Sequence, residues 1–476
     1  MKKALFVVFN EAHFKELIRV IEFLSTIDTF QLLVVFEYKY ENCEEHILRC
    51  LELNALCFDG KCDPLDTTLS NIAPAPTATP IPDEDANFLI RNMLLRINQV
   101  TFSIYQMYRG WQLRNKTFLM RFKPDIVIQA EVTLNYPMGM MWIDEGHKLD
   151  IASLIVPFGL MGLPYNREMA MFYSEDPTRH VNNDSRVERF VSLWASKMVA
   201  EHKGIRVFRM PLAETIASKL TNIVPKLPWN PNSCNADAIA VESEGMYDLY
   251  KTGGFPEKQL QVVGAMYYDD IATIIDDYNN LRTQLYQDYD IPSSHKLAIC
   301  GFPPDQFGSR TYGEDTIKNF SDIIAVYAEI FSKIEGWTFL VNPHPRVQNR
   351  DFSVLEAIDN VRLTYTDIVQ LIPLGDIYVS SSSSSTIRVS VACEKPTIDY
   401  DIYGYDHQQF ESVSGVTKFR GKKEFSDFLQ AITQDETIYT EQLALIRQDA
   451  TKWGVLDGNV GERLLKLINT LISKTR

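Results

Sequence analysis

A run of six serines, Ser380–Ser385, is followed directly by Thr386 and concentrates hydroxyl groups at one point of the chain. The residues on both sides of the run are apolar, which favours a loop inside a packed unit over a flexible polar segment. Hydroxyl groups and free backbone N–H groups at the start of a helix attract anions, and phosphate is the usual one. We therefore expect Ser384, Ser385 or Thr386 to bind a phosphate group.

A histidine and an arginine follow the apolar run Trp337–Val341, in the segment Asn342–Arg346 (NPHPR). The imidazole of His344 can donate a hydrogen bond to a phosphate and, when protonated, can offset its charge. The guanidinium of Arg346 can bind a phosphate through two parallel hydrogen bonds. The alternative is that the two prolines shape a turn that His344 merely caps.

The surrounding sequence predicts the elements that position these groups. A strand at Asp376–Val379, the serine run, a helix at Ile387–Cys393 and a strand at Thr397–Tyr400 make one βαβ unit of a parallel sheet. We place His344 and Arg346 on the end of a neighbouring strand. Ligands of open α/β sheets bind at the carboxyl ends of the strands, so these groups are expected to converge.

The composition is that of a globular protein large enough for two α/β domains, with 476 residues, 45% hydrophobic and 23% charged. A net charge of −15 argues against a nucleic acid as partner. Seven scattered cysteines indicate reduced thiols in a cytoplasmic protein, and their spacing does not favour a zinc site. The apolar run near the N-terminus is too short for a signal peptide or a membrane span, so we interpret it as the first strand.

The His-Pro strand end, the Ser/Thr pair that opens a helix and the turn Glu394–Pro396 together resemble the nucleotide-binding half of GT-B glycosyltransferases. The chain is similar to bacterial capsule transferases of the Kdo and sialic acid types and to teichoic-acid-type polymerases. It also resembles UDP-GlcNAc 2-epimerase, which shares that fold. The resemblance covers residues 237–405 well and the N-terminal half in outline. It implies an α/β fold with two Rossmann-like domains facing a cleft.

The resemblance also implies an activity, the transfer of a sugar from a nucleotide-sugar donor to a saccharide or lipid-linked acceptor of a surface glycan. His344 matches the histidine that contacts the donor phosphate in sialyltransferase-like families. No tightly bound cofactor or metal is expected, and the donor would be a CMP- or UDP-sugar. Many UDP-sugar enzymes of this fold hold the ribose with a glutamate where this chain has Val389, which weakens a UDP assignment and leaves CMP or another nucleotide open. A lipid-linked acceptor would bring a cytoplasmic enzyme to the inner face of the membrane.

Two further nucleotide contacts are candidates in the second half of the chain. Gly301 and Phe302 begin the loop after the strand Leu297–Cys300, and Gly301 would let the backbone approach a ligand closely. A simple β-turn explains this loop equally well. Asp367 either lies near the base or ribose or caps the helix that follows it.

A base that activates the acceptor hydroxyl would come from the first domain. Glu131 ranks first because it directly follows the predicted strand Ile126–Ala130. His13 lies in the first loop, where acceptor contacts are common in this architecture. Asp144 begins an Asp-Glu-Gly sequence that matches a motif of some bacterial sialyltransferases, although a solvated helix surface is the alternative. Phe158 stands where the resembled family often has a histidine.

The predicted domains are an N-terminal Rossmann-like acceptor domain (1–266), a linker (267–295) and a C-terminal Rossmann-like nucleotide-sugar domain (296–460). The last helix, 461–476, is expected to pack back on the N-terminal domain. Two other functions stay open, namely a nucleotide-sugar epimerase with paired carboxylates and a non-catalytic nucleotide- or sugar-binding protein.

Overall fold

The computed structural model describes residues 1–65, 99–159, 163–306, 317–382, 384–405 and 407–475. The chain divides into two compact units. The first unit comprises Met1–Glu242, Met246–Met266 and Gly461–Arg476, and the second comprises Ser243–Gly245 and Tyr267–Val460. Of the predicted site, Ser383 and the part of the Gly301 loop beyond residue 306 lie outside the described residues.

The first unit is built on a parallel sheet of seven strands in the order β3-β2-β1-β4-β5-β8-β9. Two further strands, β6 and β7, form a separate antiparallel pair. The strands are β1 (Lys2–Val8), β2 (Phe30–Phe36), β3 (Leu56–Asp59), β4 (Ile126–Gln129), β5 (Ala152–Ile155), β6 (Val199–His202), β7 (Ile205–Phe208), β8 (Ala238–Val241) and β9 (Leu260–Val262). This is the doubly wound order, in which the chain direction across the sheet reverses between β1 and β4.

Helices cover the strands of this unit, because strands of a parallel sheet are buried on both faces. Up to residue 252 the helices are α1 (Glu11–Ser25), α2 (Cys43–Glu52), α3 (Gln99–Phe122), α4 (Met138–His147), α5 (Leu163–Ser174), α6 (Arg186–Trp194), α7 (Leu212–Leu220) and α8 (Glu244–Thr252). Helix α1 begins at the N-cap Asn10, whose side chain accepts a hydrogen bond from the His13 backbone N–H at 2.9 Å. The core includes Trp142 of α4, which packs edge-on against Phe118 of α3.

The second unit repeats the same topology with six parallel strands in the order β12-β11-β10-β13-β14-β15. The strands are β10 (Lys296–Phe302), β11 (Trp337–Pro343), β12 (Val361–Leu363), β13 (Ile377–Ser381), β14 (Thr397–Tyr400) and β15 (Val416–Phe419). The helices are α9 (Tyr267–Asp276), α10 (Tyr278–Asp288), α11 (Phe320–Phe331), α12 (Ser353–Glu356), α13 (Ile368–Leu371), α14 (Ile387–Ala392), α15 (Lys422–Gln434) and α16 (Glu436–Trp453). The direction reverses between β10 and β13.

Stacked aromatic rings tie the sheet of the second unit to its helices. Phe331 of α11 stacks on Phe339 of β11 with ring centroids 4.1 Å apart, and Phe425 of α15 stacks on Tyr400 of β14 at 4.6 Å. All four residues belong to one buried cluster. The predicted βαβ unit around the serine run is confirmed, since β13 and β14 pair in parallel and α14 connects them.

Residues 267–295, interpreted from the sequence as a linker, carry α9 and α10 and group with the second unit. Arg282 of α10 forms an ion pair with Asp376 at 2.7 Å, just before β13. The last helix, α17 (Val460–Lys474), groups with the first unit from Gly461 onward. Its Asn469 accepts a hydrogen bond from the Lys2 side chain.

The fold class predicted from the sequence is confirmed as α/β with two Rossmann-like units. The prediction that the strand of His344 neighbours the serine strand was wrong, because β11 does not lie next to β13. Strand β10 lies between them. Within the described ranges, no helix is both long enough and apolar enough to cross a bilayer.

Candidate functional site

The serine loop begins at the carboxyl end of β13, beside the point where the second sheet reverses direction. Ser382 has a φ of 50°, in the left-handed region, which turns the chain sharply out of the strand. The loop then closes on itself, because the Ser384 backbone N–H donates to the Ser381 carbonyl at 3.2 Å. Hydroxyl groups continue the network, with 2.8 Å between Ser384 Oγ and Thr386 Oγ1 and 2.5 Å between Thr386 Oγ1 and the Tyr378 hydroxyl.

Two polar groups of this loop have no partner in the described part of the chain. The Ser382 hydroxyl oxygen is buried without a hydrogen bond. The Ser385 backbone N–H donates to none of the described acceptors. Helix α14 is only six residues long. We therefore attribute the capacity for anion binding to these local donors and the neighbouring hydroxyls rather than to a long helix dipole.

Gly301 has a structural explanation that the sequence did not provide. A Cβ at this position would lie 2.5 Å from the Tyr378 hydroxyl and 3.2 Å from the Ile368 side chain. The absence of a side chain therefore makes room for Tyr378, which in turn holds Thr386 of the serine loop. Gly301 thus supports the candidate phosphate site indirectly, through Tyr378.

His344 begins a short 3₁₀ turn directly after β11, and its Nδ1 accepts a hydrogen bond from the Arg346 backbone N–H at 3.2 Å. Because Nδ1 is the acceptor, the proton of the neutral ring sits on Nε2 and is available to a ligand. Burial and then the positive charge of Arg346 lower the pKa of His344. The ring is therefore a neutral donor at pH 7, whereas Arg346 is exposed and supplies the charge.

The observed strand order determines how long a ligand must be to contact both His344 and the serine loop. Neighbouring strands lie roughly 5 Å apart, so β11 and β13, with β10 between them, are separated by roughly 10 Å. A nucleotide or a nucleotide sugar is long enough to reach from one of these strand ends to the other.

The remaining predicted contacts of the second unit have structural roles in this geometry. Phe302 is 3% exposed and packs against Phe320 and Phe352, so its side chain is not available to stack on a base. Asp367 is the N-cap of α13 and accepts from the Val369 backbone N–H at 3.1 Å, the alternative that the sequence left open.

In the first unit, Glu131 lies two residues beyond the carboxyl end of β4, at the point where this sheet reverses direction. Burial alone raises the pKa of its carboxyl group from an ordinary 4.5 to about 7. No described residue gives this carboxylate a hydrogen bond or an ion pair. Glu131 therefore has the protonation behaviour that a general base needs near neutral pH.

His13 lies at the same edge of the sheet, at the start of α1. Burial lowers the pKa of its imidazole to about 4, so the ring is neutral at pH 7. Its Nδ1 is buried and has no hydrogen-bond partner among the described residues. The ring meets Tyr136 and Phe158 edge-on, at 6.0 and 5.8 Å between centroids. Phe158, at the position of the expected histidine, thus forms part of the pocket around His13.

Sequence reasoning missed the aromatic cluster that surrounds this edge. Phe9 contacts His13, Tyr38 and Tyr136, with centroids 5.5 to 6.2 Å apart. Their position in the sequence could have identified them, because these residues all follow shortly after the strands β1, β2 and β4. The rings of Phe9 and Tyr136 contact the imidazole of His13.

Asp144 lies at the opposite edge of the first sheet. Helix α4 runs back from the carboxyl end of β4, and Asp144, in its second half, hydrogen bonds to Asn235, which precedes β8. Burial raises its pKa, but the carboxylate is separated by the length of the strands from Glu131 and His13. Glu131 and His13 therefore lie at one edge of the first sheet, and Asp144 lies at the other.

The cysteines and other soft ligands offer no further chemistry. All seven cysteines are free thiols. Across the described ranges, no group of three or more His, Cys, Asp or Glu residues is arranged to hold a metal ion.

Comparison with known proteins identifies the architecture. No protein-family model matches this sequence, and no curated protein sequence matches it. A UDP-GlcNAc 2-epimerase from Neisseria meningitidis, solved with UDP-GlcNAc bound, matches with a TM-score of 0.53 at 12% identity, over 98% of this chain and 100% of the other. The wall teichoic acid polymerase TagF matches with a TM-score of 0.53 at 11% identity, over 99% of this chain and 89% of the other. The glycotransferase of kitacinnamycin gives 0.52 at 10% identity, over 98% of both chains.

The shared property at these identities is the fold. Each matched protein spans nearly the whole chain, so the similarity includes both units and not one common Rossmann-like domain. The chain therefore has the α/β fold of GT-B-type enzymes, with two Rossmann-like units.

Proposed function

We propose that this protein is a glycosyltransferase that moves a sugar from a nucleotide-sugar donor to a saccharide or lipid-linked acceptor. The observation that carries the proposal is the position of Glu131. A half-buried carboxylate with a pKa of about 7, and with no partner among the described residues, stands where ligands of a doubly wound sheet bind. Such a group is suited to removing a proton from an acceptor hydroxyl.

The second unit is assigned the nucleotide. The Ser385 N–H, the hydroxyls of Ser384 and Thr386, the Nε2–H of His344 and the guanidinium of Arg346 would bind the phosphate groups. They would stabilise the negative charge that develops there as the sugar leaves. These donors can serve that purpose without a metal ion, so the proposal assigns no step to one. The candidate donors are CMP- and UDP-sugars.

The first unit is assigned the base. The acceptor oxygen forms a bond to the anomeric carbon of the sugar, and its proton passes to the carboxylate of Glu131. The bond between the anomeric carbon and the phosphate oxygen breaks, and its electron pair stays on the phosphate. This role applies to a transfer with inversion of configuration. A carboxyl group with a pKa of about 7 can accept a proton near neutral pH, which suits it to the role of base.

The nucleotide assignment is tested by thermal unfolding with CMP, CDP, UDP, GDP and ADP, each at millimolar concentration. A ligand that binds only the folded chain raises the melting temperature. One nucleotide is expected to stabilise the native chain and to lose most of that effect in His344→Ala. If none of the five shifts the melting temperature, the serine loop is structural and the proposal fails.

An epimerase acting on a nucleotide sugar is the second candidate, and one observation favours it. Glu214 is a second carboxylate of the first unit whose pKa is raised by burial, and an epimerase of this fold would use paired carboxylates. The two functions differ in their need for an acceptor. Conversion of the donor to an isomeric nucleotide sugar without acceptor, identified by NMR, would favour the epimerase. Release of free sugar would be slow hydrolysis by a transferase.

A further inference from the structure

The first unit contains a cavity of about 340 Å³ that sequence reasoning did not identify. We name it the arginine cavity, since Arg179 and Arg209 line it together with Trp111, Tyr108, Asn135 and Glu214. Asn135 belongs to the same loop after β4 that carries Glu131, so one residue that lines the cavity is a close sequence neighbour of the proposed base.

The two arginines are brought together by one tyrosine ring. The guanidinium carbon of Arg179 lies 4.1 Å from the centroid of Tyr173, and that of Arg209 lies 5.2 Å from the same centroid. Arg209 is 3% exposed and donates hydrogen bonds to the Tyr173 hydroxyl at 2.7 Å and to Asn135 Oδ1 at 3.4 Å. Arg179 donates to the Arg209 carbonyl at 2.6 Å. Two like charges held this close repel each other, and an anion between them would relieve the repulsion.

Two acidic residues lie beside these arginines. Asp176 accepts from Arg179 Nε at 3.3 Å and is itself occupied by Thr178, whose N–H and hydroxyl both donate to it. Glu214 also lines the cavity; burial raises the pKa of its carboxyl group, and the charge of Arg179 lowers it. With two guanidinium groups in its wall, the cavity is suited to an anionic ligand.

Part of the cavity wall is aromatic. The rings of Trp111 and Tyr108 are tilted by 31° with 5.5 Å between centroids, and Tyr38 also lines the cavity. Flat apolar surfaces next to a few polar groups suit the face of a sugar ring, whose carbon–hydrogen side is apolar.

We propose that the arginine cavity binds an acidic sugar of the acceptor, whose carboxylate or phosphate pairs with Arg179 and Arg209 while its ring lies against Trp111. That this sugar belongs to an acceptor rests on the proposed transferase function, but binding at the cavity can be tested separately. The loop that carries Asn135 also carries Glu131. An acceptor held by its anion would thus have its hydroxyl groups directed toward the loop of the proposed base.

The experiment measures binding of three probes by calorimetric titration: methyl glucuronide, glucose 6-phosphate and neutral methyl glucoside. One anionic probe is expected to bind at least about tenfold more tightly than the glucoside. Arg179→Met should weaken that probe by about tenfold or more, whereas Arg189→Met, which changes an exposed arginine of α6 outside the cavity, should not. Preference for the glucuronide or for the phosphate names the anion.

A second variant keeps the test valid if Arg179→Met does not fold. Glu214→Gln removes a carboxylate from the cavity, so it should tighten binding of the anionic probe at about pH 8 and leave the glucoside unchanged. Equal binding of anionic and neutral probes, no binding of any probe at millimolar concentration, or no response to either variant would overturn the inference.

Failure of this inference and failure of the proposed function give different results. If a nucleotide stabilises the chain but no acidic sugar binds, the transferase proposal stands and the cavity assignment is lost. If acidic sugars bind but no nucleotide does, the cavity assignment stands and the transferase proposal is lost.

Discussion

Replacing Glu131 by glutamine tests the proposed base directly. Glutamine has the same shape but cannot accept the acceptor proton, so kcat is expected to fall about a hundredfold to ten-thousandfold. In the native enzyme, kcat/KM should rise with pH and level off above a midpoint near pH 7, the pKa of the Glu131 carboxyl. That acidic limb should be absent from the residual activity of Glu131→Gln.

The same substitution has a stability effect of opposite sign. The pKa of Glu131 rises from 4.5 in the unfolded chain to about 7 in the folded one. Between these values the unfolded chain has released the proton and the folded chain has kept it, so native stability falls as pH rises through this window. The difference corresponds to about 3 kcal/mol, an order-of-magnitude figure, above pH 7. Glutamine cannot ionise, so the variant should be more stable than the native chain at about pH 8 and similar at about pH 4.

The assays are donor turnover as a function of pH and urea unfolding at the two pH values. Each unfolding transition is followed separately, because a chain of two units need not unfold in one step. Glu201→Gln, an exposed glutamate of β6, serves as the control and should change neither property. A variant that is inactive but no more stable at pH 8 would refute the buried, unpartnered environment. A variant that keeps full activity would refute the role as base.

Four other substitutions and one added chelator give further tests. Asp144→Asn should leave turnover unchanged, because its carboxylate lies at the opposite sheet edge, and a large loss of kcat would restore it as the base. His344→Ala should weaken nucleotide binding in titration calorimetry, and the native chain should bind well at about pH 8, since burial and the charge of Arg346 lower the pKa of the ring and the neutral form is the donor. Gly301→Ala should cost about 2 kcal/mol in urea unfolding, and adding Tyr378→Phe should recover part of it by removing the crowded hydroxyl, whereas strict additivity would contradict that contact. A chelator such as EDTA should not reduce turnover, and loss of activity that a divalent ion restores would overturn the metal-free mechanism.

The sequence predicted individual helices and strands, but it did not predict which strands neighbour each other in a sheet. Apolar runs predicted the strand Thr397–Tyr400 with its observed bounds, and the last helix α17 to within a few residues. Local patterns determine such elements because burial of one face is a local property. The order of strands is not local, and β10 inserts between β11 and β13 because the chain reverses direction there, which no periodicity records.

The same distinction applies to the candidate site. Glu131 and His13 could be assigned to one edge of the sheet from the sequence, because each lies shortly after the end of a strand and parallel strands end at one edge. The Asp-Glu-Gly sequence at Asp144 matched a motif in its letters, but a helix that runs back along the sheet carries the motif to the other edge. Arg179 and Arg209 could not be found at all, since they meet only through the ring of Tyr173.

The two sheet edges share a strand order but offer opposite environments, and the proposed chemistry needs both. A bound phosphate group needs many aligned hydrogen-bond donors, because its removal from water is costly without them. The linked hydroxyls of Ser384, Thr386 and Tyr378 provide such donors. A carboxylate that must hold its proton until pH 7 requires the reverse, an apolar wall and few donors, as around Glu131 and His13. A donor placed beside Glu131 to bind phosphate would lower the pKa of that carboxyl and weaken it as a base. One edge cannot meet both conditions, which is a physical reason for a chain of this kind to use two Rossmann-like units rather than one.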